Sequence, residues 1–281
     1  MNDSGRVIIR PMIHIRPRKG WQFIDLKELK EYQDLFYFLV VRDIKVKYKQ
    51  TILGGLWAVI QPFVSMVVFT LFFGKLAKVP SDGIPYPIFN YSALVAWSYF
   101  AHAVTASVQS LVGNASLLSK VYFPRLIIPL TPLVAGLLDF LIASLVLVGM
   151  MFYFQIYPTA YIVVLPLLVI LMMLAAGGVG MLLAALNAKY RDIGYTIPFL
   201  VQLWMFVSPV VYPVSMVPEK YRLLYGINPM CGVIEGFRSA LLGTTAFPTT
   251  LILVSAIMSL GLFFAGLFYF KQVERYFADI L

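Results

Sequence analysis

The amino-acid sequence predicts an all-α membrane protein with six transmembrane helices. Hydrophobic residues make up 60% of its 281 residues and charged residues only 12%, about half the charged share of a typical soluble domain. The mean hydropathy is +0.85. Six apolar runs are long enough, at roughly 20 residues, to cross a bilayer as helices. They lie at about 52–74, 88–112, 126–153, 161–186, 195–213 and 250–270. Transmembrane β-strands would be shorter and would alternate apolar with polar residues.

The basic residues are concentrated near one end of the chain and predict its orientation. Residues 1–55 contain 11 of the 22 Lys and Arg. With six spans, the same side also receives Lys120, Arg125, Lys189, Arg191, Lys271 and Arg275. The positive-inside rule therefore places both termini in the cytoplasm of a multi-pass protein of the cytoplasmic membrane. The net charge of +9 then reflects topology and contact with anionic membrane lipids, and no nucleic-acid partner is expected.

Residues 1–24 are predicted to form a cytoplasmic tail. This segment is rich in Arg, Lys and Pro and lacks the apolar core of a cleavable signal peptide. The first spanning helix is therefore expected to direct membrane insertion.

Residues 25–51 are predicted to form an amphipathic interface helix that lies along the membrane surface. Helical spacing separates a basic face from an apolar face. The basic face contains Arg42, Lys45 and Lys49, and the apolar face contains Val40, Val41, Ile44 and Tyr48. Val46 and Lys47 fall on the wrong faces for this pattern. A soluble helix packed on a partner protein is the alternative interpretation.

The sequence contains no motif for catalysis, nucleotide binding or metal binding. Phosphate-loop, dinucleotide-binding, GxSxG, HExxH and CxxC patterns are all absent. Cys231 is the single cysteine, and His14 and His102 lie far apart, which gives no support for a metal site. We therefore expect a protein that is not an enzyme, that binds no cofactor and that cannot hydrolyse ATP alone.

One carboxylate, Asp139, lies near the middle of the predicted span 126–153. Intramembrane carboxylates are costly and are often functional, for example in a proton or cation relay. A relay needs partners, and no basic residue shares a span interior with Asp139. A structural hydrogen-bond acceptor and a transport role both remain open. His102, in span 88–112, is expected to be a satisfied residue at a helix interface.

Small residues in span 161–186 predict close helix packing. Ala176, Gly180 and Ala184 recur every four residues and so lie on one helical face. Such a stripe allows the backbone of another helix to approach closely.

The segment from 208 to 247 differs from the other spans because prolines interrupt it. They are Pro209, Pro213, Pro218 and Pro229, and they prevent one continuous helix. We interpret the segment as one or two short helices that dip into the outer face and form a candidate gate, since irregular backbone at membrane depth must be buried or line a cavity. The alternative is a plain extracellular loop in which Glu235 and Arg238 form an ordinary surface ion pair.

Aromatic residues make up 15% of the chain, and many fall inside the spans. A pore lined by aromatic rings could slide a sugar polymer, because pyranose faces pack on aromatic planes. Filling of the core and contact with lipid is the simpler interpretation for most of these residues.

The stretch NASLLSKVYFPR at 114–125 predicts a short cytoplasmic helix between the second and third spans. Lys120 and Tyr122 are expected to be exposed, and Pro124 to restart the chain into the next span. A short basic and aromatic helix of this kind could dock in a cleft of a soluble partner.

Four blocks of the sequence together resemble the membrane subunit of type-2 ABC exporters, in the branch that exports O-antigen, capsule and teichoic acid. They are RDIKVKYKQTILGGLWAVIQP at 42–62, NASLLSKVYFPRLIIPL at 114–130, SPVVYP and NPM ending in GFR within 208–238, and VERYFADIL at 273–281. With the six spans, the resemblance covers about residues 30–281. It implies a homodimer with two cytoplasmic ATPase subunits, which would bind ATP and magnesium, and a channel along the dimer interface.

The resemblance also assigns roles to residues. The coupling helix at 114–123 would contact the ATPase, with contributions from Asn114, Leu117, Ser119, Lys120, Tyr122, Phe123 and Arg125. The substrate channel would be lined by Tyr48, Trp57, Tyr91, Tyr99, Trp204 and Phe206. Contacts to a lipid pyrophosphate or to the membrane surface would come from Arg42, Lys45, Lys47 and Lys49. Gate helices at 215–243 would carry Glu235 and Arg238.

The expected substrate is a polysaccharide on a polyprenyl pyrophosphate lipid that enters from the cytoplasmic leaflet. ATP-driven closure of the partner would act through 114–123 and shift the spans. Two alternatives remain: a type-2 ABC exporter of a lipid or drug, and an ion-coupled transporter that uses Asp139.

Overall fold

The computed structural model describes residues 26–49, 54–243, 247–274 and 277. Within these ranges the secondary structure is helical and contains no strand. The predicted tail at 1–24 and most of the block at 273–281 lie outside the described residues.

The helices follow one another with short connections. They are α1 (Leu26–Glu31), α2 (Gln33–Lys49), α3 (Trp57–Phe69), α4 (Tyr86–Gly113), α5 (Ala115–Lys120), α6 (Ile127–Phe154), α7 (Leu165–Lys189), α8 (Asp192–Val207), α9 (Glu219–Tyr225), α10 (Pro229–Leu242) and α11 (Thr249–Val273). A 3₁₀ turn at Gly54–Leu56 and a π-helix at Thr70–Leu76 extend α3 at its two ends, and further 3₁₀ turns lie at Ala160–Val164 and Val214–Met216.

Several of these helices are suited to cross a membrane. By length and composition, four described segments qualify, namely Gly54–Leu76, Ile127–Phe154, Ala160–Lys189 and Thr249–Val273. Helix α4 is long enough, with 28 residues, but it is more polar. An α-helical membrane protein is thus confirmed, whereas the count of six spans stays a prediction.

Helix α8 is shorter than the predicted fifth span. It has 16 residues, about 24 Å at 1.5 Å per residue, against a hydrocarbon core of about 30 Å. The helix ends at Val207 instead of continuing to 213. Pro209 disfavours helical backbone at Ser208, and Ser208 is accordingly extended, with φ −97° and ψ 154°.

Helix α4 lies at the centre of the bundle and packs against α6 and α7. Its polar side chains bond to neighbouring helices: the Tyr99 hydroxyl donates to the Leu133 carbonyl (2.8 Å) and the Ser107 hydroxyl to the Pro129 carbonyl (2.8 Å). By contrast, only 11% of the residues in the most apolar 18-residue stretch of Gly54–Leu76 are buried. The more polar composition of α4 therefore fits its position inside the bundle, because its polar groups form hydrogen bonds with neighbouring helices.

The predicted close packing of α7 is confirmed at Gly180, where a Cβ atom would lie 2.7 Å from Ser107 Cβ on α4. Gly178, which the predicted stripe omits, makes an even closer contact with α11. A Cβ atom on Gly266 would lie 2.1 Å from the Gly178 carbonyl oxygen. The two backbones therefore touch, and neither position leaves room for a side chain.

Candidate functional site

A cavity of about 680 Å³, here called the bundle cavity, opens between α3, α4, α6 and α8. Aromatic rings and uncharged polar groups share its wall. The rings come from Trp57, Phe69, Trp97, Tyr99 and Phe140, and the polar groups include Gln61, Ser65, Ser98, Thr105 and Gln202. Apolar walls with a few placed polar groups are typical of ligand sites, and this combination suits a ligand that presents both hydroxyls and C–H faces.

The six aromatic residues predicted to line a channel occupy different places. Trp57 and Tyr99 line the bundle cavity, and Tyr48 lines a second cavity. Tyr91 is fully buried and donates to the Ala143 carbonyl at 3.3 Å. Trp204 packs edge-on against Phe100, with ring centroids 5.2 Å apart, and Phe206 is half-exposed.

Sequence reasoning missed most of the polar lining. Gln61 and Gln202 are the only amide side chains in the apolar helices α3 and α8, and this isolation is the available signal. Trp97 is one of many aromatic residues inside the predicted spans, and nothing in the sequence distinguishes it from the others.

A second cavity of about 260 Å³, the interface cavity, lies along α2. It includes Arg42, Asp43 and Tyr48 of that helix and Asn114 next to α5. Both cavities are lined by Lys47, His102, Gly136 and Asp139. These four residues therefore form the boundary between the two cavities.

The polar part of this boundary is a cluster of Lys47, Tyr48, His102 and Asp139, here called the charge cluster. Lys47 Nζ lies 2.5 Å from Asp139 Oδ2 and 3.3 Å from His102 Nε2. The Tyr48 hydroxyl donates to Asp139 Oδ1. Burial raises the pKa of Tyr48 above its ordinary value, and its hydrogen bond to Asp139 adds to that effect, so the phenol stays a proton donor.

The charge cluster resolves two features that the sequence left open. Asp139 has a basic partner, supplied by the interface helix instead of by a span. Lys47 departs from the amphipathic pattern of α2 because it turns inward to reach that carboxylate. Lys45 and Lys49 are exposed, while Arg42 pairs with its neighbour Asp43 at 2.8 Å.

The predicted coupling segment contains the helix α5. Ser119, Lys120 and Tyr122 are exposed, and Tyr122 is 81% exposed. Leu117 is half-buried, and the Asn114 amide donates to the Ser110 carbonyl at 2.9 Å. A groove of about 330 Å³ borders this segment.

The end of the coupling segment is anchored to the chain's C-terminal region. Phe123 is 3% exposed and belongs to the same apolar cluster as Phe277. The Arg125 amide donates to Glu274 Oε1 at 3.2 Å, and its guanidinium donates to the Glu274 carbonyl. The coupling segment thus exposes Lys120 and Tyr122, while Phe123 and Arg125 hold its end against the C-terminal region.

The segment after α8 forms two short helices, α9 and α10, and α10 is buried. Glu235 and Arg238 are 4% and 0% exposed, so the alternative of an ordinary surface ion pair is wrong. Arg238 Nη1 lies 3.6 Å from Glu235 Oε2. Burial raises the pKa of Glu235, while the charge of Arg238 opposes this shift.

The described residues contain no group of three or more His, Cys, Asp and Glu placed to hold a metal ion. The arrangement is instead that of a helical membrane protein with a central cavity of mixed polarity and an exposed helix beside it. Such a cavity can hold a ligand between the helices of the bundle.

Comparison with known proteins identifies the family. The ABC-2 type transporter family matches residues 34–242, and the chain belongs to this family. It is therefore a transport subunit and not an enzyme.

Relatives of known name extend over most of the chain. An O-antigen export system permease protein RfbA of Klebsiella pneumoniae is 30% identical over 250 residues, covering 88% of this chain and 95% of the relative. The RfbA permease of Myxococcus xanthus is 29% identical over 258 residues, covering 90% and 98%. The polysialic acid transport protein KpsM of Escherichia coli is 23% identical over 245 residues, covering 84% and 92%.

Proposed function

We propose that this chain is the permease subunit of an ATP-driven exporter that moves a lipid-linked, O-antigen-like polysaccharide across the cytoplasmic membrane. The observation that carries the proposal is the bundle cavity, because its aromatic and amide lining suits a sugar chain. The relatives named above, which are polysaccharide permeases, support the same substrate class. The expected carrier is a polyprenyl pyrophosphate.

A homodimer would complete the channel. Of the four helices that line the bundle cavity, α3 and α8 have the fewest buried residues. In α3 these are Pro62 and Met66, and in α8 they are Ile197 and Val201. A second copy packed against these helices would cover their exposed apolar side chains and close the cavity into a channel between the subunits.

Two copies of a cytoplasmic ABC ATPase would drive transport through the coupling segment. The exposed Lys120 and Tyr122 stand next to a groove, and the anchored Phe123 and Arg125 would transmit a push to α6. ATP and magnesium would bind to the ATPase. This arrangement requires the coupling segment, and with it both termini, to face the cytoplasm, in agreement with the positive-inside rule.

The helices α9 and α10 would form the gate on the opposite side. The backbone that precedes them is irregular between Ser208 and Pro218, and its first part, 208–214, is mostly buried. Burial by protein is the condition for such backbone at membrane depth. The Glu235–Arg238 pair would keep α10 in place.

The test is the glycan composition of cells that lack this gene, comparing surface polymer with polymer on its lipid carrier inside the membrane. We expect internal accumulation and surface loss, restored by the wild-type gene. A gene with Lys120→Ala and Tyr122→Ala should fail to restore export although the protein still reaches the membrane, because the exposed contacts with the ATPase are removed.

The matched control is the double variant Lys189→Ala and Tyr190→Ala, which changes the same two residue types at exposed positions at the end of α7. It should restore export. Normal surface glycan in the deletion strain would contradict the substrate and would direct the search to lipid or drug export.

A further inference from the structure

We infer that the charge cluster is a phosphate-binding site that its own carboxylate keeps closed. A phosphate group replaces the Asp139 carboxylate on Lys47, and this exchange opens the boundary between the interface cavity and the bundle cavity. The inference rests on the proposed function in one respect: the phosphate is taken to be the head group of the lipid carrier.

The position of the cluster is the first support. Lys47, His102 and Asp139 line both cavities. Lys47 belongs to α2, Asp139 to α6 and His102 to α4. The Lys47–Asp139 ion pair therefore connects two helices that are distant in sequence. Other ion pairs, such as Arg42–Asp43 and Lys271–Glu274, join residues one and three positions apart in the chain. Separation of Lys47 from Asp139 would therefore change how the interface helix is held to the bundle.

The chemistry of Lys47 is the second support. An ammonium group has three donors and no acceptor, and a phosphate oxygen can take the place of a carboxylate oxygen in a charge-assisted hydrogen bond. The Lys47 side chain is 39% exposed and that of Asp139 is 18% exposed. A ligand in either cavity can thus reach the pair. Since the ammonium group cannot accept a hydrogen bond, His102 Nε2 accepts from Lys47 Nζ at 3.3 Å and helps to position the cation.

Tyr48 makes the exchange feasible. When Lys47 leaves, Asp139 keeps the hydrogen bond from the Tyr48 hydroxyl and faces two open cavities. The carboxylate is therefore not left buried without a partner, which would be costly. The carboxylate and the phosphate compete for one cation, so that the site is closed without substrate.

The experiment measures ligand binding to the permease–ATPase complex in phosphatidylcholine nanodiscs. The probes are farnesyl diphosphate, inorganic pyrophosphate and farnesol. Asp139→Asn removes the competing charge, and we expect it to bind farnesyl diphosphate about tenfold more tightly, equivalent to ~1.4 kcal/mol. Lys47→Gln should bind it at least about tenfold more weakly, as should the double variant. Asp192→Asn, at an exposed carboxylate of α8, is the matched control and should equal the wild type.

Equal or weaker binding of farnesyl diphosphate by folded Asp139→Asn would overturn the inference and make the pair a purely structural tie. A tenfold gain for farnesol would also overturn it, since farnesol has no phosphate. A gain for farnesyl diphosphate alone supports recognition of a lipid head group, and a gain for pyrophosphate as well supports recognition of the phosphate itself.

A second comparison keeps the inference testable if Asp139→Asn fails to fold. Lys47→Arg should keep diphosphate binding and Lys47→Gln should lose it, whereas equal binding by both would overturn the site. These assays do not measure glycan export. If Asp139→Asn binds farnesyl diphosphate more tightly but the deletion strain has normal surface glycan, polysaccharide export is refuted and the phosphate site is still supported.

Discussion

Two acid–base pairs in this protein have similar composition but different surroundings. Lys47 and Asp139 lie 2.5 Å apart, with side chains 39% and 18% exposed beside two cavities. Arg238 and Glu235 lie 3.6 Å apart, with side chains 0% and 5% exposed, three residues apart on one helix. The difference teaches that burial decides whether an ion pair can exchange partners. The first pair can open toward a ligand, whereas the second holds the fold.

The role of Arg238 follows from the irregular backbone around it. Its guanidinium donates to the carbonyls of Val210 at 2.7 Å and Phe89 at 3.2 Å, and it stacks on the Phe89 ring at 3.6 Å. Val210 belongs to the proline-interrupted stretch after α8, where no helical amide satisfies the carbonyl. Arg238 thus stabilises the very backbone that the prolines disrupt.

The largest effect should come from breaking the buried pair. Arg238→Met leaves buried carbonyls and the Glu235 carboxylate without their cation, and we expect it to lower the free energy of unfolding by about 3–5 kcal/mol. Thermal unfolding in detergent measures this loss. Arg222→Met is the matched control because Arg222 is 40% exposed, and it should cost less than about 1 kcal/mol. Equal losses would contradict the contrast between buried and exposed pairs.

Removal of the cation from the exchangeable pair should affect transport more than folding. Lys47→Gln should reduce export of surface glycan by about tenfold or more, since a charge-assisted contact is worth about 1.5–3 kcal/mol, while the protein still reaches the membrane. Lys30→Gln, on the neighbouring helix α1 and exposed, should change export less than about twofold. Similar export by the two variants would mean that Lys47 acts only through the net charge of α1 and α2.

Exchange of the two charges would sharpen the same contrast. The double variant Lys47→Asp with Asp139→Lys can reform an ion pair, so it should recover most of the thermal stability lost by Lys47→Asp alone. It should not recover export, because the cation then belongs to α6. Recovery of both would show that only the pair, and not the position of its cation, matters.

The smallest effect is a change in pH dependence. Burial raises the pKa of Glu235, so the folded protein holds this proton to a higher pH than the unfolded chain does. This contribution to stability is complete below the unfolded pKa and is lost as pH rises through the folded pKa. Wild-type unfolding temperatures should therefore decline as pH rises above about 4.3, and Glu235→Gln should flatten this slope. An unchanged slope in the variant would contradict the shift.

Most of the fold could be predicted from composition and apolar run length, and particular residues show where prediction ended. The coupling segment was predicted with Lys120 and Tyr122 outward, as they are, because a short polar break between spans is a local pattern. The end of α8 was placed too late, since apolar residues continue past Pro209 although the helix does not. Gly178 was missed because its partner, Gly266, lies on another helix.

The sequence by itself determined the class of the protein and its helical membrane bundle, because hydrophobicity and helical periodicity are properties of consecutive residues. Only the tertiary structure decided that Lys47 meets Asp139, 92 positions away, and that Arg238 is enclosed by protein. Both results depend on how helices pack against one another. A charge in a sequence has a sign and a helical face, whereas its partner and its burial exist only once the helices are assembled.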